Sequence, residues 1–178
     1  LLPTGRYALE AFPDFSNAAR EAADFFFYRE FMHSSPIPQA PSMLLKKIWT
    51  HEVKLPPKTF LGDGTQSIEG LFFLVSLTKT LNARHVFEIG TFTGVTALTL
   101  AMNLPQLTVQ TLDLPAGDPP VLNVGRDDKG YILSERRQRV FEGRPEAAQI
   151  IQHEGDSARF DFSALGHAFD LVYIDGAH

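Results

Sequence analysis

Val86-Phe87-Glu88-Ile89-Gly90-Thr91-Phe92-Thr93-Gly94 decides the fold. A short run of strand-forming residues enters a turn with glycine at 90 and 94, and a helical stretch starts immediately behind it. The chain must turn sharply there, and a ligand must be able to approach bare backbone; glycine permits both. The new helix offers unpaired N–H groups and the positive end of its dipole, which favour an anionic or carboxylate group. The spacing is G-x-x-x-G, which fits the G-x-G-x-x-G dinucleotide fingerprint poorly. A structural strand-to-helix turn without a ligand would use the same glycines, so further residues must decide.

On both sides of this turn helix and strand alternate. Residues 69–81 read as an apolar helix, 85–89 as a short buried strand, 93–103 as a helix and 108–112 as a strand. Residues 114–130 hold Pro, Gly and Asp and read as a loop; a helix over 131–142 follows, then strands over 149–153 and 169–174. Such alternation implies right-handed crossovers and an α/β fold: a Rossmann-like, doubly wound, mainly parallel sheet. This core occupies residues 66–178.

Residues 1–65 read as an N-terminal helical extension. A helix over 16–32 is capped by Ser16 or Asn17, and its Phe25, Phe26 and Phe27 cannot all face one side. At least one of them meets a second surface, which makes the extension a lid or a dimer contact. Pro36, Pro38 and Pro41 mark a linker, and a short amphipathic helix over 43–51 ends before Pro56-Pro57.

Acidic residues follow each strand. Asp113 lies 23 residues after Gly90, where an open α/β sheet carries the acid that accepts hydrogen bonds from a ribose diol. Asp156 and Ser157 follow the third strand and Asp175 ends the fourth, while Glu88 sits near the end of the first. One such acid is commonplace turn chemistry. Four at the same ends of adjacent strands point to a ligand crevice.

Composition narrows the function. The 178 residues carry 16 Lys+Arg against 21 Asp+Glu, a formal charge of −5, which disfavours nucleic acid and anionic membrane as partners. Arg136, Arg137 and Arg139 form only a local cluster, the pattern of a solvated helix face. The absence of Cys removes disulfides, thiolate metal sites and a Cys nucleophile, and agrees with a cytoplasmic location. No run approaches the roughly 20 apolar residues of a membrane-spanning helix, and with no basic segment followed by an apolar core at its start no signal peptide is expected.

The glycine segment, continued through Val95-Thr96, resembles the first motif of class I S-adenosylmethionine-dependent methyltransferases. More narrowly it is similar to the caffeoyl-CoA/catechol-type O-methyltransferases, with their E-I-G-x-F-T-G-Y-S. Ile68-Glu69-Gly70-Leu71-Phe72-Phe73, leading to Leu81-Asn82-Ala83, resembles that group's E-G-Q-F-L…I-N-A-K. Phe169 to His178 resembles F-D-F-I-F-V-D-A-D-K, and still more the I-D-G-x-H of bacterial relatives.

The resemblance implies S-adenosylmethionine as cofactor and a small-molecule methyl acceptor, most readily a hydroxyl. It implies that Gly90, Thr91 and Gly94 shape the loop under the methionine part, and that Glu88 and Thr96 hold its amino and carboxylate ends. Asp113 would bind the ribose, and Asp156 with Ser157 would lie near the adenine. Asp175 would face the acceptor, as a base or as ligand to a divalent cation such as Mg²⁺, with His178 the other candidate base. Two departures stand out: the long loop over 115–129, and Ala177 and His178 in place of the group's Asp and Lys. The four strands match the first four of a class I core. The apolar Leu171 to Ile174 stretch is expected to be buried on both faces, between neighbours that lie past His178. A homodimer is expected from the Phe-rich extension. The competing readings are a binding module that transfers nothing and a nicotinamide oxidoreductase.

Overall fold

The computed structural model describes residues 46–62, 64–115, 138–166 and 168–176. The chain divides between His51 and Glu52, and the sheet lies in the second unit, Glu52–His178. In the first unit residues 46–48 are helical and 49–50 form a turn. The expected helix over 16–32 and residues 43–45 of the next one lie outside the described residues.

Helix α1, Ile68–Thr80, starts where Ser67 accepts a hydrogen bond from Gly70 N–H at 3.0 Å. It buries Leu71, Leu74, Val75 and Thr78, the i, i+3, i+4, i+7 stripe of a helix lying on a core. It stops in a Schellman arrangement: Asn82 is left-handed (φ 50°) and donates to Lys79 O, and Ala83 N–H donates to Thr78 O. Strand β1, His85–Ile89, follows; then α2, Val95–Asn103, and β2, Thr108–Asp113. Strands β3, Ile150–Glu154, and β4, Leu171–Ile174, complete the sheet.

All pairings are parallel and the order is β3-β2-β1-β4. The chain builds outward from β1 through β2 to β3, then returns to the opposite side of β1. The direction of winding reverses between β1 and β4, the place where open α/β sheets bind ligands beyond their carboxyl ends. This is the Rossmann-like, parallel architecture read from the sequence.

Side-chain alternation gives the helix-covered face a regular content. One row across the four strands is apolar: Ile150, Val109, Val86 and Leu171 stand in register. They share a core with Leu74 and Val75 of α1 and Ala97, Leu98 and Leu100 of α2. Two residues nearer the carboxyl ends, the next row on this face is polar throughout: Gln152, Thr111, Glu88 and Tyr173. The opposite face carries Phe87, with the rings of Phe169 and Phe162 centred 5.1 and 5.8 Å away.

Two expectations need correction. Residues 140–143 form a turn and 138–139 have no regular structure, rather than the end of a helix, and 131–137 lie outside the described residues. The turn is held locally, Glu142 N–H on Arg139 O and Arg144 N–H on Phe141 O, and Pro145 opens a short 3-10 stretch. Strand β4 is not buried on both faces: Val172 is 52% and Ile174 70% exposed, because nothing described covers that face of the strand.

Candidate functional site

The polar row and the glycine turn meet at the carboxyl edge of the sheet. Gly90 (φ 101°) donates its N–H to Leu112 O at 2.9 Å, and Asp175 N–H reaches Ile89 O at 2.8 Å. The turn is thereby stitched to both β2 and β4. A Cβ on Gly90 would run into the backbone of Asp175. Gly94 (φ 80°) caps α2, and a Cβ there would lie 2.5 Å from the Phe141 ring. Both glycines are required by positive φ and by protein packed against the Cα, not only by a ligand's approach.

Glu88 is 1% exposed beneath the turn. It accepts from Thr111 Oγ1 at 2.6 Å; Thr111 Oγ1 lies 2.6 Å from Thr91 Oγ1, to which Gln152 Nε2 donates at 3.1 Å. Because the Thr111 proton goes to Glu88, Thr91 must donate to Thr111. The chain of donors therefore runs one way, from β3 to Glu88. Burial pushes the Glu88 carboxyl up to about 8; the Thr111 and Thr96 hydroxyls pull it down, and the nearby Asp175 and Asp113 charges add to the rise. Thr91 thus gives its side chain to the sheet interior, and Thr96, at 7% exposure, gives its own to Glu88.

Asp113, at the end of β2, accepts on Oδ2 from Phe92 N–H at 3.1 Å and from Arg139 Nη2 at 2.8 Å. Burial raises its carboxyl above the usual range while the Arg139 guanidinium opposes the rise. Next to it, Gly155 N–H donates to Asp113 O at 2.9 Å, so the residues after β3 border the same edge. Asp156, half-buried there, closes its own turn by accepting Ala158 N–H at 2.8 Å, and Ser157 is exposed.

Asp175 is exposed at the end of β4 and accepts from the Tyr173 hydroxyl at 2.9 Å. Burial and then the Asp175 charge push the Tyr173 hydroxyl far above its usual range. Gln66 Nε2 donates to the same hydroxyl. Gln66 also lines a groove of about 450 Å³ with Leu55, Pro56, Leu61 and Ile68. His178 lies outside the described residues.

The edge thus brings Glu88, Gly90, Thr91, Gly94, Thr96, Asp113 and Asp175 around one turn, with Asp156 and Ser157 on its β3 side. Sequence reasoning missed Arg139, taken as part of a solvated helix face, although its side chain is only 14% exposed. It also missed Gln152, Tyr173 and Thr93. The Thr93 hydroxyl is buried in the glycine turn with no protein partner, a feature that suits a polar ligand. No three His, Cys, Asp or Glu side chains gather into a cation site among the described residues.

A family model described as O-methyltransferase matches residues 41–116. That segment holds α1, β1, the glycine turn, α2 and β2, and with them Glu88 and Asp113. It leaves Asp156 and Asp175 outside. No curated protein sequence matches the chain. Among solved structures, the chain is similar to the O-methyltransferase TomG from Streptomyces achromogenes, involved in tomaymycin synthesis and solved with SAM. The two are 22% identical with a TM-score of 0.46, over 90% of this chain and 63% of TomG. It is also similar to an O-methyltransferase from Bacillus cereus in complex with SAH, at 18% identity and a TM-score of 0.43. That likeness covers 83% of this chain and 59% of the other. The chain spans less than two thirds of either protein's length.

Proposed function

We propose that the chain carries the S-adenosylmethionine site of an O-methyltransferase that acts on a small molecule. The observation that carries this reading is the meeting of the glycine turn, Asp113 and Asp175 where the sheet order reverses. The O-methyltransferase segment and the unpartnered Thr93 hydroxyl support it.

When bound, the cofactor supplies a methyl group already activated by a sulfonium. The protein's part is to align acceptor and donor and to exclude water, worth on the order of 7–11 kcal/mol when alignment is good. Backbone N–H groups of the turn and the Thr93 hydroxyl take polar atoms of the methionine part, and its ammonium group beside the buried Glu88 carboxyl would favour the ionised form of that carboxyl. Asp113 accepts the ribose hydroxyls, with Asp156 and Ser157 bordering the adenine. Asp175, oriented by Tyr173, takes the proton that the acceptor hydroxyl loses as it attacks. The groove lined by Gln66, which itself bonds Tyr173, has the volume of a small-molecule pocket and apolar residues in its wall, which suits an aromatic or aliphatic acceptor. His178 is a second candidate base. A divalent cation on Asp175 would need ligands from outside the described residues.

Calorimetric titration of the full-length protein tests the reading. S-adenosylhomocysteine is expected to bind and NAD is not. Asp113→Ala is expected to weaken binding by about 1–3 kcal/mol, the cost of leaving hydroxyls unpaired. An unchanged dissociation constant would remove Asp113 from the site. Binding without methyl transfer over a broad panel of hydroxylated acceptors, with and without Mg²⁺, would favour a module that only senses the cofactor. No described helix is long and apolar enough to cross a membrane. A cytoplasmic homodimer fits the cysteine-free, Phe-rich sequence, and a monomer mass in light scattering would contradict the dimer.

A further inference from the structure

Three consecutive residues fasten one segment over the glycine turn. Arg139 Nη2 sits 2.8 Å from Asp113 Oδ2; Val140 N–H donates to Thr93 O at 2.9 Å; and the Phe141 ring fills the space beside the Gly94 Cα. The oxygen that Arg139 holds also accepts Phe92 N–H at 3.1 Å, so Asp113 Oδ2 already has two donors. A ribose diol that engages both carboxylate oxygens competes with these donors on Oδ2. Phe92 N–H belongs to the turn itself and is fixed by the backbone, whereas Arg139 arrives on a long side chain. The guanidinium is the donor that can leave.

We infer that Arg139 is an intramolecular competitor for the ribose diol, parked on Asp113 in the free chain and displaced when the cofactor binds. The inference rests on the proposed cofactor site and adds a residue that sets its affinity. The competition acts through one side chain whose planar guanidinium places a directional N–H on the carboxylate, a geometry that a lysine ammonium reproduces less well. The pair is only partly exposed, 14% and 25% for the two side chains, so solvent screens it incompletely. Its release subtracts from the gross binding free energy, and a diol-free ligand has no reason to force that release.

The test uses the full-length protein and compares wild type with Arg139→Gln. The probes are S-adenosylhomocysteine, adenosine and 2′,3′-dideoxyadenosine. R139Q is expected to bind the two diol-bearing probes roughly 2–5-fold more tightly, the range a partly exposed ion pair supports, and the dideoxy probe unchanged. Arg139→Lys is expected to fall between, and carries the test if R139Q does not fold. Equal or weaker binding of the diol-bearing probes by the variants overturns the competitor role while leaving the site itself standing. Equal tightening for the dideoxy probe overturns it too, since the gain would not involve the diol. Failure of wild type and variants alike to bind any of the three removes the cofactor site and the competitor together.

Discussion

Two rows of side chains on one face of the sheet, two residues apart along each strand, have opposite characters. Ile150, Val109, Val86 and Leu171 make an apolar row under the helices; Gln152, Thr111, Glu88 and Tyr173 make a polar row next to the turn. The first has no polar side-chain atom to satisfy and contributes by burial alone, about 25 cal/mol per Å². The second is buried nearly as deeply at its centre, with Thr111 at 0% and Glu88 at 1% exposure, and is held together by a directed chain of hydrogen bonds. Stability is built in the first row. The second accepts the cost of burying a carboxyl in order to set a titratable group and donors beneath a ligand edge.

The comparison can be broken most sharply at Glu88. Its folded value of about 8 lies above the ordinary 4.5, so the folded chain binds the proton more tightly than the unfolded one. Its contribution is full below about pH 4.5 and is lost as pH rises through 8. Glu88→Gln should abolish that decline: equal stability to wild type near pH 4 and greater stability at pH 9, read by denaturant unfolding. A decline of the same size in the variant would assign it to other groups. In the apolar region, Leu98→Ala should cost about 2–5 kcal/mol through lost burial and a cavity, with no dependence on pH. Thr111→Val should cost less, about 1–3 kcal/mol, by leaving Glu88 and Thr91 without a shared partner, and should steepen the decline with pH. A pH-independent loss for Thr111→Val would mean that its hydroxyl does not serve Glu88.

How much of this was legible in the sequence follows the range of each interaction. Strand β1, His85–Ile89, needed only its run of apolar residues and the glycine that ends it, and helix α1 the apolar run over 69–81. The position of Asp113 followed from the length of one β-α-β unit. The polar row did not, because it exists only through registers that join residues from Glu88 to Gln152 and Tyr173. Arg139 was misread for the same reason: its partner lies 26 residues away, and three nearby arginines look solvated when read locally. Gln66 and Tyr173 stand 107 residues apart, beyond any local pattern. Asp156 was placed at the proper edge, but sequence alone did not reveal that its carboxylate closes its own turn. The alternation of strand 4 was hidden by its uniform apolarity: Leu171 and Tyr173 face the core, and Val172 and Ile174 are exposed.

Amide chemical-shift mapping during titration with S-adenosylhomocysteine tests the central claim most directly. The account predicts that the largest changes fall on residues 90–94, on Leu114 and Gly155 beyond β2 and β3, and on Asp175 and Gly176 beyond β4. Arg84, Thr108 and Asp170, at the amino ends of the same strands, should stay still. Changes centred on those amino ends, or no saturable change anywhere, would contradict it.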